Sequence, residues 1–154
     1  SNVLFGASRG GNSDGDVQKA LDLAQASEFV DRMPGGIRAP IAEGGTNVSG
    51  GQKQRLSIAR ALARRPEILV FDDSFSALDY RTDAKLRAGL DRELKDTTRL
   101  IVAQRIGTIR NADKIIVLDE GKMVGMGTHR ELMQTCPVYQ EIARSQLSRE
   151  ELGA

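Results

Sequence analysis

A glycine turn at the start of a predicted helix, within residues 47–56, has the composition of an anion-binding site. Ser49 is a residue type preferred at helix N-caps, and Gln52 follows it at capping-box spacing. Gly50 and Gly51 lie between them and leave the backbone open to a ligand. The unpaired N–H groups and the positive end of the helix dipole would face that ligand. The stretch therefore predicts an anion site, although an ordinary capped helix after a glycine turn has the same pattern.

Two cations, Lys53 and Arg55, follow in the first turn of the same predicted helix. Positive side chains at this end oppose the helix dipole and weaken an isolated helix. Their position is easier to explain if an anion docks nearby.

Two adjacent carboxylates, Asp72 and Asp73, end a short apolar run, residues 68–71. Such a run is typical of a strand that is buried on both faces of a parallel sheet. In open α/β sheets, ligands bind beyond the carboxyl ends of the strands, so these carboxylates are well placed for a metal ion and a water molecule. A pair of exposed turn aspartates is the plain alternative. The sequence of residues 76–79, which follows directly, favours the functional interpretation.

Helix and strand patterns along the rest of the chain would position these groups. After a polar loop over residues 6–15, a helix is expected behind Asp14 or Asp16, and a short second one behind Ser27 as its cap. The helix that starts at the glycine turn should end near residues 64–66. Further helices are predicted at residues 82–94, after Thr128 and after Pro137. Strands are predicted at residues 68–71, 100–103, 115–118 and 123–126, the last two as a hairpin.

Composition excludes several classes of protein. The chain has 154 residues, 40% hydrophobic and 28% charged, and a net charge of +1, which fits one folded domain and gives no support for a nucleic acid partner. No apolar run approaches the ~18 residues of a membrane span. The single cysteine, Cys136, excludes an internal disulfide and is expected to serve packing. His129, the only histidine, follows Thr128 at the start of a predicted helix and is expected to be a surface residue rather than a catalytic base.

Residues 47–56 resemble the signature motif of ATP-binding cassette (ABC) ATPases, usually Leu-Ser-Gly-Gly-Gln, with Val48 in the place of leucine. Residues 68–73 and 76–79 resemble the Walker B motif and the D-loop of the same family. Gln104 stands at the switch position, where family members commonly carry histidine. The motifs occur in family order and at family spacing, within a resemblance from about residue 3 to residue 147. The chain is thereby identified as a member of the ABC nucleotide-binding domains.

The resemblance implies a role for each of these residues. In this family the signature of one subunit covers the γ-phosphate of ATP held by another, so five residues here would contact nucleotide in a dimer: Val48, Ser49, Gly50, Gly51 and Gln52. Asp72 would hold Mg²⁺ through water. Asp73 occupies the place of the catalytic base, and Asp79 that of the D-loop aspartate. Glu43 lies in a turn similar to the X-loop of ABC exporters, which implies contact with a transmembrane domain.

Three departures from the family pattern carry information about function. No G-x-x-x-x-G-K-S/T motif occurs, so the chain is expected to be the C-terminal portion of a nucleotide-binding domain, without its P-loop. Asp73 replaces the usual glutamate, and its shorter side chain predicts slow hydrolysis, because about 1 Å of misplacement can cost about 10²-fold. Gln104 cannot become a cation as histidine can. Both changes fall at one ATP site, which is the pattern of heterodimeric ABC exporters.

The predicted fold is α/β, with residues 1–65 as a helical subdomain and residues 66–154 as the C-terminal part of a RecA-like ATPase core. The expected function is that of an ATP hydrolase subunit of an ABC exporter at the cytoplasmic face of the membrane, in a heterodimer with a second nucleotide-binding subunit. The isolated 154 residues are expected to be inactive towards ATP. A soluble ABC ATPase acting on ribosomes or DNA and an inert structural or regulatory module are the alternatives. The X-loop-like turn at Glu43 favours the exporter.

Overall fold

The computed structural model describes residues 2, 3 and 14–152, with side chains up to Gln146. The α-helices are α1 (Asp14–Leu23), α2 (Ser27–Asp31), α3 (Gly50–Leu62), α4 (Tyr80–Glu93), α5 (Ile106–Ile109), α6 (His129–Thr135) and α7 (Pro137–Leu152). The strands are β1 (Ile68–Asp72), β2 (Thr98–Val102), β3 (Ile115–Asp119) and β4 (Lys122–Gly127), and 3₁₀ turns cover Gly36–Arg38 and Glu43–Gly45. The chain divides into two compact units, residues 1–100 and 101–154.

The first unit is organised around α1, which packs against α3 and α4. Helical spacing puts apolar side chains of each helix on one face. The buried residues of that core include Val17, Ala20 and Leu21 of α1, Leu56, Ala59 and Leu62 of α3, and Leu86 and Leu90 of α4. The helices predicted at 82–94 and from the glycine turn to about residue 64 are therefore confirmed. The polar loop predicted over 6–15 lies mostly outside the described residues, and its last two residues are already helical in α1.

β1 forms a two-stranded sheet with β2, which begins in the first unit and follows α4 along the chain. The backbone N–H of Thr98 donates to the carbonyl of Glu67 at 2.9 Å. A helix between two paired strands is the crossover that parallel pairing requires. Leu69 and Phe71 are buried, and the Phe71 ring packs against Phe75 with centroids 5.0 Å apart.

The prediction that residues 68–71 form a strand buried on both faces is wrong for the part of the chain that the structure describes, and the next predicted strand, residues 100–103, is not fully buried either. Ile68 and Val70 are 65% and 58% exposed, and Leu100 of β2 is 54% exposed. The physical reason is that a two-stranded sheet has two faces, and the described residues cover only the face that carries Leu69 and Phe71.

The second unit joins an antiparallel hairpin, β3 and β4, to the helices α6 and α7. Its core contains Ile106, Ile115, Val117, Leu132, Cys136, Tyr139 and Ala143. The predicted hairpin and the packing role of Cys136 are confirmed, and so is the capping box of α6, in which Thr128 and Glu131 bond each other's backbone N–H. Within the described residues, none of the helices has the length and hydropathy needed to span a membrane.

Two local predictions are corrected. Ser27 is the first residue of α2 rather than its cap, because its hydroxyl donates to the Asp22 carboxylate, and Ala26 takes the N-cap position without a side-chain bond. His129 is half-buried rather than a free surface residue, because its Nδ1 lies 2.8 Å from the hydroxyl of buried Tyr139. Burial raises the pKa of that tyrosine.

Candidate functional site

The predicted anion loop begins α3 with the expected geometry. Ser49 is the N-cap with φ −70° and ψ 164°, and its hydroxyl accepts from the N–H of Gln52 at 3.3 Å. In return, the Gln52 side chain accepts from the N–H of Ser49 at 2.8 Å. Ser49 and Gly50 are exposed, whereas Val48, Gly51 and Gln52 are half-buried. The open end of α3 can therefore receive an anion at Ser49 and Gly50.

The turn that carries Glu43 is tied to this loop by Asn47. The Asn47 Oδ1 accepts from the N–H of Ala42 at 3.0 Å, and its Nδ2 donates to the carbonyl of Pro40 at 3.1 Å. Glu43 itself is exposed at the start of the 3₁₀ turn Glu43–Gly45. The Glu43 turn is therefore linked to the start of α3 by a side chain whose role sequence reasoning did not identify.

Arg55, the second of the two cations, is engaged within the chain. Its guanidinium packs over the ring of Phe29 at 4.8 Å, and its Nη1 donates to the carbonyl of Gln25 at 2.7 Å. These contacts hold α3 against α2 and the segment that precedes it. Lys53 remains exposed, so of the two predicted cations it is the one open to a ligand.

Asp72 and Asp73 lie at the end of β1, where the sequence predicted them, and both are exposed. Asp73 has φ +48°, a left-handed conformation that non-glycine residues rarely adopt. A cleft of about 350 Å³ runs between α3 and β1, and its lining includes both carboxylates together with Lys53, Gln54 and Ser57. The first unit thus brings the carboxylates and the signature helix to one cleft.

Asp79 is the N-cap of α4 rather than a free carboxylate. It accepts from the N–H of Thr82 at 2.9 Å and from the Thr82 hydroxyl at 2.7 Å. The bond from the Thr82 backbone, and then that from its hydroxyl, lower the pKa of the Asp79 carboxyl. The carboxylate therefore stays ionised to lower pH than an aspartate without these bonds, while it fixes the start of α4.

Gln54 joins α3 to the turn between Asp73 and Asp79, and sequence reasoning missed it. Its Oε1 accepts from the N–H of Ala77 at 3.0 Å. Its Nε2 donates to the hydroxyl of Ser76 at 3.2 Å and to the carbonyl of Asp73 at 3.4 Å. The sequence carries no local signal for these bonds, because the partners are 19 to 23 residues apart.

Gln104 lies in the second unit with an exposed side chain. Its backbone carbonyl accepts from Nε2 of Gln146 at 2.6 Å, and the Oε1 of Gln146 accepts from the N–H of Ile106 at 2.7 Å. Gln146 thus fixes the backbone of the predicted switch position without occupying the side chain of Gln104. Sequence reasoning also missed this role of Gln146.

The donor set bears on which metal could bind. Among the described residues, no group of three or more His, Cys, Asp or Glu side chains could hold an ion by itself. Mg²⁺ rarely needs such a group, because it is usually bound by one or two carboxylates, water and substrate phosphates. The exposed carboxylate of Asp72 at a strand end fits that manner of binding.

Comparison with known proteins adds family information to this geometry. The family model described as "ABC transporter" matches residues 7–76. An uncharacterized ABC transporter ATP-binding protein of Mycobacterium tuberculosis is 51% identical over 131 residues, which is 85% of this chain and 22% of the relative. A multidrug resistance ABC transporter ATP-binding and permease protein of Lactococcus lactis is 40% identical over 147 residues, 96% of this chain and 25% of the relative.

A solved structure is similar in fold as well as in sequence. It is that of a bacterial Atm1-family ABC exporter with ATP bound, and it superposes with a TM-score of 0.88 at 36% identity. The superposition covers 94% of this chain and 25% of the exporter chain. The described chain therefore has the α/β fold predicted for it, part of a P-loop ATPase core with helices, and it spans about a quarter of the length of these relatives.

Proposed function

Because the chain belongs to the ABC transporter family, as part of a nucleotide-binding domain, we propose that it couples ATP binding and hydrolysis to export across a membrane. The observation that carries the proposal is the arrangement of the first unit. One helix start with a capping box and an exposed glycine lies in the same unit as two exposed carboxylates at the end of β1. The names of the multidrug resistance relative and of the similar exporter structure support export rather than another task of this family.

ATP is the ligand expected from the family. Its phosphates would explain both the anion site at the start of α3 and the carboxylates at the end of β1. The start of α3 would receive the γ-phosphate of a nucleotide bound to a second subunit, through Ser49 and Gly50 with Val48, Gly51 and Gln52 behind them. Asp72 would hold Mg²⁺, which neutralises phosphate charge when bound. Asp79 would act through the start of α4, since its carboxylate is engaged as the N-cap.

Asp73 and Gln104 each stand at a position where the family usually has another residue, and each change favours holding ATP over cleaving it. Asp73 stands where the family usually has glutamate, so its carboxylate reaches less far towards an attacking water. Gln104 can make hydrogen bonds to a phosphate but carries no charge. The signature residues serve the other site of a dimer, so we propose a heterodimer in which this chain contributes one slow site and the partner supplies a glutamate and a histidine for a fast one.

The partner and the location follow from the same proposal. Glu43 is exposed on a turn that Asn47 fixes to the signature loop, which suits a contact with a transmembrane domain. Nucleotide-driven movement at the start of α3 would then be transmitted to that contact. The chain would work at the cytoplasmic face of the membrane, bound to an integral membrane partner or fused to one. The division into a helical subdomain, residues 1–65, and a core portion, residues 66–154, belongs to the same proposal.

The test is to restore the slow site. In the assembled heterodimer, the partner's catalytic glutamate is replaced by glutamine to silence the fast site. Asp73→Glu together with Gln104→His should then produce hydrolysis well above the silenced parent, while each single change produces less than half of it, because residues acting as a unit are strongly non-additive. A double variant that hydrolyses ATP no faster than the silenced parent would refute the assignment of Asp73 and Gln104.

A further inference from the structure

One side chain joins the two groups of residues that the proposed function uses. Gln54, in the second turn of α3, accepts a hydrogen bond from Ala77 and donates to Ser76 and to the carbonyl of Asp73. The amide oxygen of Gln54 thus accepts from, and its amide nitrogen donates to, the same short segment, residues 73–77. Glutamate of the same size has no donor, and lysine or arginine has no acceptor, so the contact set demands an amide.

The segment that Gln54 holds contains the strained residue of the site. Asp73 keeps φ +48°, and such conformations persist where the surroundings over-determine them. Its carbonyl accepts from the Ser76 hydroxyl at 3.0 Å and from the Ser76 N–H at 3.4 Å, in addition to Gln54. These bonds fix the peptide plane after Asp73 and hold the turn in this conformation.

A second contact brings α3 against the same segment. A Cβ built on Gly51 would lie 3.0 Å from the carbonyl oxygen of Ala77, closer than side chains normally allow. Ala77 is therefore approached by the first turn of α3 at its carbonyl and held by Gln54 at its N–H. The start of α3 and residues 73–77 are joined at two adjacent points.

We propose that Gln54 is a positioning residue that makes the signature loop and the Asp73 turn move as one body. Its effect on turnover rests on the proposed function, whereas its effect on the Asp73–Ala77 segment does not. Gln54 orients the turn that carries Asp73 and lies beside the signature residues of the other site, so a change at one ATP site is transmitted to the other. Gln54 takes part in no covalent step of the reaction.

The experiment compares three variants of the full chain in the assembled transporter. Gln54→Ala removes all three bonds. Gln54→Glu is isosteric and keeps the acceptor for Ala77 but puts a carboxylate oxygen opposite the Asp73 carbonyl. Gln134→Ala is the matched control, since Gln134 is an exposed helical glutamine in α6. Amide hydrogen exchange of residues 73–78 and the kcat and KM for ATP are measured for each.

Gln54→Ala should speed exchange at Ala77 by about fivefold, the effect of one lost hydrogen bond, and lower kcat by about tenfold through misplacement of well under 1 Å. KM for ATP should stay within about twofold of the parent, because a positioning residue makes no ground-state contact with nucleotide. Gln54→Glu should lower kcat with little change in Ala77 exchange, and Gln134→Ala should change neither.

Each result decides between the two proposals. Parental exchange at Ala77 in Gln54→Ala would overturn the inference whatever the turnover. Parental kcat in both Gln54 variants, together with fast exchange at Ala77 in Gln54→Ala, would overturn the positioning role. If Gln54→Ala fails to assemble, parental kcat in Gln54→Glu overturns it instead, because a role in packing alone survives an isosteric change. Absence of ATP hydrolysis in the parent transporter counts against the proposed function and leaves the exchange result standing.

Discussion

The two adjacent glycines of the signature loop, Gly50 and Gly51, allow two effects to be tested separately. One is steric contact within this chain, and the other is contact with a bound nucleotide or a partner subunit. A Cβ on Gly51 would lie 3.0 Å from the carbonyl oxygen of Ala77, whereas a Cβ on Gly50 would meet nothing within 4 Å. Gly51→Ala therefore perturbs the segment that leads to Asp79. Gly50→Ala changes no packing within the described residues, so its effect reports on the bound nucleotide or on the partner subunit.

The magnitude follows from the geometry. Ordinary contact begins at 3.4 Å, so the separation between the Cβ added at Gly51 and the Ala77 oxygen must grow by about 0.4 Å (3.4 minus 3.0). Ala77 cannot yield freely, because its N–H is bonded to Gln54. If about 1 Å of misplacement costs about 10²-fold, 0.4 Å scales to roughly five- to tenfold in kcat. The better helix propensity of alanine, about 1 kcal/mol, offsets most of the steric cost to the free energy of unfolding.

Steady-state ATPase measurements and thermal melts of the assembled protein check this prediction. Gly51→Ala should lower kcat by roughly five- to tenfold with a Tm close to the parent's, together with faster amide exchange at Ala77. Gly50→Ala should leave exchange at Ala77 unchanged, and any loss of activity should appear in the KM for ATP as well as in kcat. Parental kcat and parental Ala77 exchange in Gly51→Ala would refute the reasoning, since the predicted contact would then have no consequence.

Two further predictions concern one element in each of the two units. Because hydrogen bonds from Thr82 lower the pKa of Asp79 in the folded state, the stability that Asp79 contributes is fully present above its unfolded pKa of about 3.9. It is lost as pH falls through the lower folded value. Asp79→Asn keeps an N-cap but should flatten this dependence in melts between about pH 5 and pH 2. Gly125→Ala would put a Cβ 2.8 Å from Cys136 Sγ and should destabilise the second unit by about 1–3 kcal/mol. Denaturant unfolding should show part of that loss recovered in Gly125→Ala with Cys136→Ala, and strictly additive effects would contradict the contact.

Helix capping was predictable from the sequence where the capping contacts join residues close together in the chain. The capping boxes at Ser49 and Thr128 formed as predicted, because each requires residues only three positions apart. Ser27 is also a residue type preferred at N-caps, but it does not cap α2. Its hydroxyl donates to the carboxylate of Asp22, at the end of α1, instead of bonding a backbone N–H of α2. The same cap chemistry was thus predictable where no second partner approaches and unpredictable where one does.

Contacts made across the fold left no pattern in the sequence. Arg55 looked available to an anion in the helix pattern, but Phe29 and the Gln25 carbonyl, 26 and 30 residues away, take its guanidinium. Gln54 and Gln146 cannot be distinguished from other helical glutamines in the sequence. Each binds the backbone of a distant segment, which only the fold brings close. Amide side chains are accepted at exposed helix positions with little preference, so their presence there predicts nothing about such partners.

Two of the three departures from the family pattern, Asp73 and Gln104, lie on backbones that differ in how readily they would accept the residue that the family usually has. The backbone at Gln104 is fixed from outside by Gln146, and its side chain is exposed, so Gln104→His asks for no change in main-chain conformation. Asp73 has φ +48°, where aspartate is enriched and longer side chains are not. Asp73→Glu therefore gains reach while it adds strain to a turn whose geometry already depends on Gln54 and Ser76. The short carboxylate and the left-handed turn suit each other, so restoring hydrolysis at the proposed slow site requires the turn to keep its geometry with glutamate at position 73, and the hydrogen bonds from Gln54 and Ser76 to the backbone carbonyl of that residue favour this.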